Sequence, residues 1–128
     1  MKKLFALLFS MLISFNSYGE WTPITKNVHG DTYYVDFERI KRNDGYVYYW
    51  QLVDYLEPLS DADGPRFSGM MFYKVDCDAS QYKRLTLTFY SGQMSSGSEK
   101  IVEGDKEWSD FSPGSAGESV KNQLCNTK

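Results

Sequence analysis

The residues of this chain that could do chemistry are a few carboxylates and a single histidine. Asp76 and Asp78 flank Cys77, and two carboxylates can hydrolyse a glycosidic bond when their surroundings separate their pKa values. We expect these acids to be solvated instead, as acids at strand ends usually are. His29 stands beside a Gly-Asp turn and no nucleophile motif accompanies it, so we interpret it as a solvated loop histidine. The sequence predicts no catalytic residue and no enzyme activity.

Two further patterns could bind a ligand. The segment Asp61-Ala62-Asp63-Gly64 is similar to the start of a calcium loop, but position 12 of that loop, which needs a bidentate Glu, is Phe72. We interpret the segment as an acidic turn and predict no metal site. The stretch Gly92–Gly97 lacks the spacing of a nucleotide-binding fingerprint and a phosphate-binding lysine, so no cofactor is predicted.

An export signal is expected at the start of the chain. Lys2 and Lys3 precede an apolar run, Leu4–Phe15, and Ser17 and Gly19 offer the small residues of a cleavage site before Glu20. The run is too short to span a membrane, which takes about 20 residues. We therefore expect residues 1–19 to be a cleaved signal peptide and residues 20–128 to form a single domain. No cysteine lies near the cut, so no lipid anchor is expected.

Charge and composition narrow the classes of partner. The chain has 14 basic and 17 acidic residues, and the segment after the predicted cut keeps 12 basic and 17 acidic residues. This acidic balance without a basic cluster in the sequence argues against nucleic acid and against an electrostatic membrane contact. Aromatic residues make up 16% of the chain, too many for a disordered protein.

The two cysteines, Cys77 and Cys125, favour a structural disulfide, because an even count in a small exported domain is typical of one. A redox pair and two metal ligands are the alternatives. The spacing of the two cysteines is far from the C-x-x-C of a redox pair, and the lone histidine offers no obvious third ligand for a metal.

The pattern of apolar residues predicts mainly strands. The longest, Tyr46–Leu56, is apolar or aromatic on both faces, as in a central strand that is covered on each side. Glu57–Ser68 contains two prolines and is predicted to be a surface loop. Gly69–Asp78 and Gln81–Tyr90 should pair as an antiparallel hairpin, with Leu85, Leu87 and Phe89 facing the core and Tyr90 facing outward.

A helix is predicted near the C-terminus. Ser115 and Glu118 form a capping box, and Ala116, Val120 and Leu124 follow at four-residue spacing. The expected fold class is α+β, an antiparallel sheet of five to six strands with this helix packed on it. A disulfide between the cysteines would staple the helix to the sheet.

Aromatic side chains are the strongest indication of binding. Nine tyrosines and Trp50 in the segment after the predicted cut are many rings for a small core, and Tyr and Trp suit interfaces because they bury a large area and keep a polar group. Strand Tyr46–Leu56 needs cover on both faces and the chain predicts only one helix. We therefore expect an aromatic sheet face, with Tyr33, Tyr48 and Trp50, to bind a protein partner or a second copy of the chain.

Several marks together resemble the surface-adhesin E family of Gram-negative bacteria. They span nearly the whole segment after the predicted signal: Trp21, Tyr33–Asp36 with Ile40, Val47–Tyr55, Asp76-Cys77, Leu85–Tyr90, Trp108, Pro113–Ser115 and Cys125. The resemblance implies an antiparallel sheet with a flanking helix, a Cys77–Cys125 disulfide and, as an option, a homodimer. It also implies binding of host matrix and serum proteins such as vitronectin, laminin and plasminogen.

The sequence thus leads to an exported, non-enzymatic binding module. We expect it in the periplasm or at the cell surface, not lipidated, with a protein partner. The alternative is a periplasmic inhibitor or an envelope accessory protein that acts on an enzyme of the cell envelope.

Overall fold

The computed structural model describes residues 20–126, except the side chain of Asp61. The predicted signal peptide, residues 1–19, lies outside the described residues. Residues 20–126 form eight strands, one 3-10 turn and one α-helix. In chain order they are β1 (Thr22–Lys26), β2 (Thr32–Val35), the 3-10 turn (Phe37–Arg39), β3 (Lys41–Asn43), β4 (Tyr46–Asp61), β5 (Gly64–Asp76), β6 (Gln81–Tyr90), β7 (Glu99–Val102), β8 (Ser109–Asp110) and α1 (Ala116–Asn126).

All eight strands belong to one antiparallel sheet, which has more strands than the five to six predicted. The strands follow the order β1-β2-β4-β5-β6-β7, while β3 also pairs with β4 and β8 also pairs with β6. β2 and β3 lie one after the other along the same edge of β4. β7 and β8 share an edge of β6 in the same way. Eight strands therefore occupy six positions across the sheet.

The chain between β2 and β4 follows its local sequence closely. Asp36 caps the 3-10 turn, and its carboxylate accepts a hydrogen bond from the Glu38 amide at 3.0 Å. β3 and β4 are joined by Asp44 and Gly45, whose φ angles are 54° and 85°. Two successive positive φ angles are typical of a type I′ hairpin turn, which suits Asp-Gly. This hairpin brings β3 beside the start of β4.

The segment Glu57–Ser68 is not a loop, and that prediction was wrong. β4 and β5 continue through it as a hairpin arm in which Leu59 pairs with Arg66 and Ser60 with Pro65. Pro58 falls in the irregular part of the ladder between Asp54 and Leu59, where the missing amide hydrogen of proline costs no ladder bond. Composition alone therefore indicated a loop where cross-strand pairing extends both strands.

The core lies between one face of the sheet and α1. The capping box is confirmed, since the Ser115 hydroxyl accepts from the Glu118 amide at 3.1 Å. The helix buries Ala116, Val120 and Leu124, as predicted. From the sheet, the core takes the buried side chains of Val35, Val47, Tyr49, Val53, Tyr55, Met71, Tyr73, Val75 and Leu87, with Phe111 from the segment after β8.

Two details of β6 differ from the alternation read in the sequence. Phe72 pairs with Thr86 but Tyr73 pairs with Arg84, so Leu85 is the extra residue of a β-bulge and is 39% exposed rather than in the core. Tyr90 was expected to face outward but is 7% exposed. The loop after it folds back over its cross-strand neighbour Ser68, whose hydroxyl donates to the Gly92 carbonyl at 2.7 Å.

The predicted disulfide is confirmed. Cys77 and Cys125 are bonded, with Cα atoms 5.8 Å apart, and the bond ties the end of α1 to the chain that follows β5. Arg42 supports the same junction, because its guanidinium donates to the Leu124 carbonyl at 2.9 Å. Among the described residues, the structure has no helix with the length and apolar character needed to cross a membrane.

Candidate binding surface

Strand β4 separates its side chains between two surfaces. Val47, Tyr49 and Val53 are buried beneath α1, so by the period-two alternation Tyr46, Tyr48 and Trp50 point to the opposite side of the sheet. Their rings are partly exposed. We call this side the aromatic face and define it by five rings: Tyr46, Tyr48, Trp50, Phe72 and Trp108.

The rings of the aromatic face contact one another across the strands. Trp50 lies opposite Phe72 in the β4–β5 ladder, with ring centroids 4.8 Å apart. The centroids of Tyr48 and Phe72 are 6.1 Å apart, and Trp108 stacks on Tyr46 at 5.6 Å. Contacts at these distances hold the rings in fixed orientations. The rings therefore form an ordered aromatic strip of side chains in mutual contact, not a set of isolated exposed side chains.

Arg39 closes one end of the strip. Its guanidinium carbon lies 5.7 Å from the ring centroid of Trp21 and 5.3 Å from that of Trp50. The fully buried Asp36 holds the guanidinium in place through an Arg39 Nε to Asp36 Oδ2 contact of 2.6 Å. The same carboxylate caps the 3-10 turn. One buried acid thus orients both the turn and the cation that lies beside two tryptophans.

Lys74 occupies the centre of the other end. Its Nζ atom lies 4.3 Å from the ring centroid of Tyr46, 5.8 Å from that of Tyr48 and 5.7 Å from that of Trp108. Lys83 approaches Trp108 from the next strand at 5.3 Å. The aromatic face is therefore lined by cations, and each of them lies within cation–π range of at least one ring.

Tyr33 does not share a face with Tyr48 and Trp50, and the expectation that one surface holds all three was wrong. Tyr33 pairs with Val53, so it lies on the helix side of the sheet. There it lines a cleft of about 370 Å³ with Asn27 and residues of the α1 N-terminus. Burial is the main cause that raises the pKa of its phenol. Tyr33 is separated from Tyr48 and Trp50 because its partner Val53 points to the helix side, whereas Tyr48 and Trp50 are the alternate residues of β4 that point to the other side.

The carboxylates that we considered for chemistry serve the fold. Asp76 accepts hydrogen bonds from the amides of Asp78 and Ala79, both at 3.1 Å, and so holds the turn after β5. Asp63 forms an ion pair with Lys100 at 3.0 Å near the tip of the long hairpin. His29 is exposed, and its amide donates to the Asn27 side chain at 2.9 Å.

A concavity of about 930 Å³ lies beside the disulfide. Its lining comes mostly from the β3–β4 turn and the bonded cysteines. Arg42 and Tyr46 also line it, whereas Arg39, Lys74 and Lys83, the cations beside the aromatic face, do not.

A family comparison agrees with the order of these elements. The family model of surface-adhesin protein E matches residues 21–126. The chain belongs to this family. No curated protein matches it in sequence.

Solved structures with the same fold come from Haemophilus influenzae protein E. One has a TM-score of 0.61 at 17% identity and covers 82% of this chain and 83% of the other. A second crystal form has a TM-score of 0.64 at 17% identity and covers 82% and 86%. Protein E from non-typeable Haemophilus influenzae has a TM-score of 0.59 at 17% identity and covers 82% and 74%. These matches show that the chain has the protein E fold.

Phe72 in the aromatic face and the cations Lys74 and Lys83 beside it were not predicted from the sequence as parts of a binding surface. Phe72, Lys74 and Lys83 lie in predicted strands, and the alternation of each strand places Phe72 and Lys74 on one side. Their meeting with Tyr48 and Trp50 depends on the register between strands, which the sequence does not display. Arg39 belongs to the 3-10 turn that Asp36 caps, which is a local feature of the sequence. Its position beside Trp21 and Trp50 depends on the tertiary structure.

Proposed function

We propose that this member of the surface-adhesin protein E family is an exported, non-enzymatic protein that binds a protein partner through the aromatic face. Tyr48 and Trp50 are the central contacts. The partner class is a host matrix or serum protein, and the site of action is the cell surface. The observation that carries the proposal is that both rings stay partly exposed on a preorganised strip while the helix packs on the other face.

The physical argument concerns the cost of binding. Half-exposed rings that are already held by Phe72 and Arg39 lose little conformational freedom when a partner covers them. Aromatic and arginine side chains are the residue types that most often dominate interface energies. A strip that combines both therefore favours protein recognition.

Binding of purified residues 20–128 to immobilised vitronectin, laminin and plasminogen tests this function. We expect measurable binding to at least one of them, and a loss of at least tenfold in affinity for the double variant Tyr48→Ala, Trp50→Ala. The matched control is Val28→Ala, Ile101→Ala, which trims two exposed apolar side chains elsewhere. Thermal unfolding must show that both variants are folded at the assay temperature. Unchanged binding by a folded Tyr48, Trp50 variant contradicts the proposal.

Protease treatment of intact source cells tests the proposed location. We expect the protein to disappear from intact cells, as a surface protein does, while a periplasmic marker enzyme survives. Protection of the protein until the cells are lysed would place it in the periplasm and overturn a host-binding role.

A further inference from the structure

A row of lysines crosses the aromatic face. Lys41 pairs with Tyr48, Tyr48 pairs with Lys74, and Lys74 pairs with Lys83. Residues directly opposite each other in antiparallel strands share a face, and neighbouring strands are about 4.8 Å apart. Four strands thus place three lysines and one tyrosine in a single row about 14 Å long.

Lys41, Lys74 and Lys83 are the charged members of this row. Within residues 20–126 none of them forms an ion pair. Three acids on the same side of the sheet make other contacts. Asp54 accepts from the Met94 amide at 2.9 Å, and Asp76 accepts from the amides of Asp78 and Ala79. Asp110, which is in register with Asp76 through Gln81, accepts from the Gln81 side chain at 2.9 Å. The row is therefore a cationic patch on a chain whose net charge is −3.

Rings lie on both sides of this row. Trp50 and Phe72 form the neighbouring row on one side, and Tyr46 with Trp108 lies on the other. A partner that fits this surface carries carboxylates for the lysines and apolar side chains for the rings. A polypeptide supplies both, whereas a uniformly sulfated polymer supplies only charge and leaves the rings without an apolar partner.

We propose that the lysine row and the rings beside it bind an acidic, extended segment of a protein partner. Its carboxylates pair with Lys41, Lys74 and Lys83, and its apolar side chains cover Tyr48 and Trp50. This inference rests on the proposed function and adds the chemistry of the partner. Electrostatic attraction of this kind accelerates association and weakens as salt screens it.

A labelled random copolymer of glutamate and tyrosine is the probe, titrated with residues 20–128 while fluorescence polarisation is recorded. We expect saturable binding that weakens as salt rises from 50 to 300 mM, which shortens the screening length about 2.5-fold. The variant Lys41→Gln, Lys74→Gln, Lys83→Gln should bind at least tenfold more weakly. The control Lys100→Gln, Lys106→Gln, Lys121→Gln changes net charge equally away from the row and should stay within twofold of the parent. The variant Lys41→Arg, Lys74→Arg, Lys83→Arg keeps the charges and should retain binding.

Any one of the following results would overturn the inference. Equal losses in the row variant and the control would show an effect of net charge alone. Absence of copolymer binding would exclude an acidic polypeptide. Preferential binding of heparin or of phosphatidylglycerol vesicles would assign the row to another class of partner.

If the row variant still binds the immobilised matrix proteins while the Tyr48, Trp50 variant does not, this inference fails and the proposed function stands. If both variants bind them like the parent, the proposed function fails as well.

Discussion

Arg84 and Asp105 join strand β6 to the segment between β7 and β8 through four polar contacts. The guanidinium donates to the carboxylate from Nε at 2.8 Å and from Nη2 at 3.0 Å. The Arg84 amide donates to the same carboxylate at 2.9 Å, and the Asp105 amide donates to the Arg84 carbonyl at 2.8 Å. The pair lies beside the Leu85 bulge, where the regular ladder is interrupted. It therefore replaces ladder bonds that the bulge removes.

Acid should weaken this junction. The hydrogen bonds from Arg84 lower the pKa of Asp105 below its ordinary value. The pair thus stabilises the fold fully above about pH 4, the pKa of an unfolded Asp, and this contribution is lost as pH falls through the lower folded pKa. Asp105→Asn should cost about 1 kcal/mol at pH 7, because the pair is partly exposed. Urea unfolding at pH 7 and at pH 3 checks this, since the difference between parent and variant should shrink at pH 3. A constant difference would show that the charge is irrelevant.

Gly104 should not tolerate a side chain. A Cβ atom there would overlap the carbonyl oxygens of Arg84 and Leu85, so Gly104→Ala must push the segment around Gly104 away from β6. We expect a loss of about 1–3 kcal/mol in the free energy of unfolding.

Gly117→Ala is the matched control for that substitution. Its Cβ would meet its nearest neighbour, in Phe111, at an ordinary 3.7 Å, and Gly117 lies within α1. Alanine is favoured over glycine in a helix by about 0.5–1 kcal/mol. Urea unfolding should therefore show opposite signs for the two variants. A neutral or stabilising Gly104→Ala would contradict the close approach.

The disulfide should contribute strongly to stability. Cys77 and Cys125 are 48 residues apart, and closing a loop of that length contributes about 4 kcal/mol on the chain-entropy model. The variant Cys77→Ser, Cys125→Ser should unfold at a temperature lower by roughly 15–30 °C. Calorimetry of the parent with and without a reductant provides the comparison. A melting temperature unchanged by reduction would show that α1 docks without the bond.

Three core tyrosines should resist ionisation. Burial is the main cause that raises the pKa of Tyr55 to about 12, and it raises those of Tyr49 and Tyr73 well above their ordinary values. A raised folded pKa means that this contribution to stability is complete below about pH 10, the unfolded value, and is lost as pH rises through the folded pKa.

Absorbance at 295 nm should accordingly show a late step at alkaline pH that coincides with unfolding by circular dichroism. Tyr55→Phe should reduce the amplitude of that late step by roughly a third, since three phenols contribute to it. Full ionisation of all tyrosines in the folded protein by pH 11 would contradict the burial of these phenols.

Local interactions made much of this fold predictable from sequence. Asp36 and Ser115 each cap the element that follows them, because a side-chain oxygen two or three bonds from the Cα atom can satisfy only nearby amides. The alternation in Tyr46–Leu56 placed Tyr48 and Trp50 together, because strand geometry alone puts alternate residues on one side. The cysteine pair followed from its count and its context.

Interactions between strands decided the rest. The arm at Glu57–Ser68, the bulge at Leu85 and the separation of Tyr33 from Trp50 all depend on which residues lie opposite each other. The sequence contains no basic cluster, yet the fold assembles one from Lys41, Lys74 and Lys83, which come from three different strands. Propensity and spacing determined the elements and the alternation within each strand. The register, which depends on pairings distant in the chain and on the packing of the whole core, decided which side chains meet.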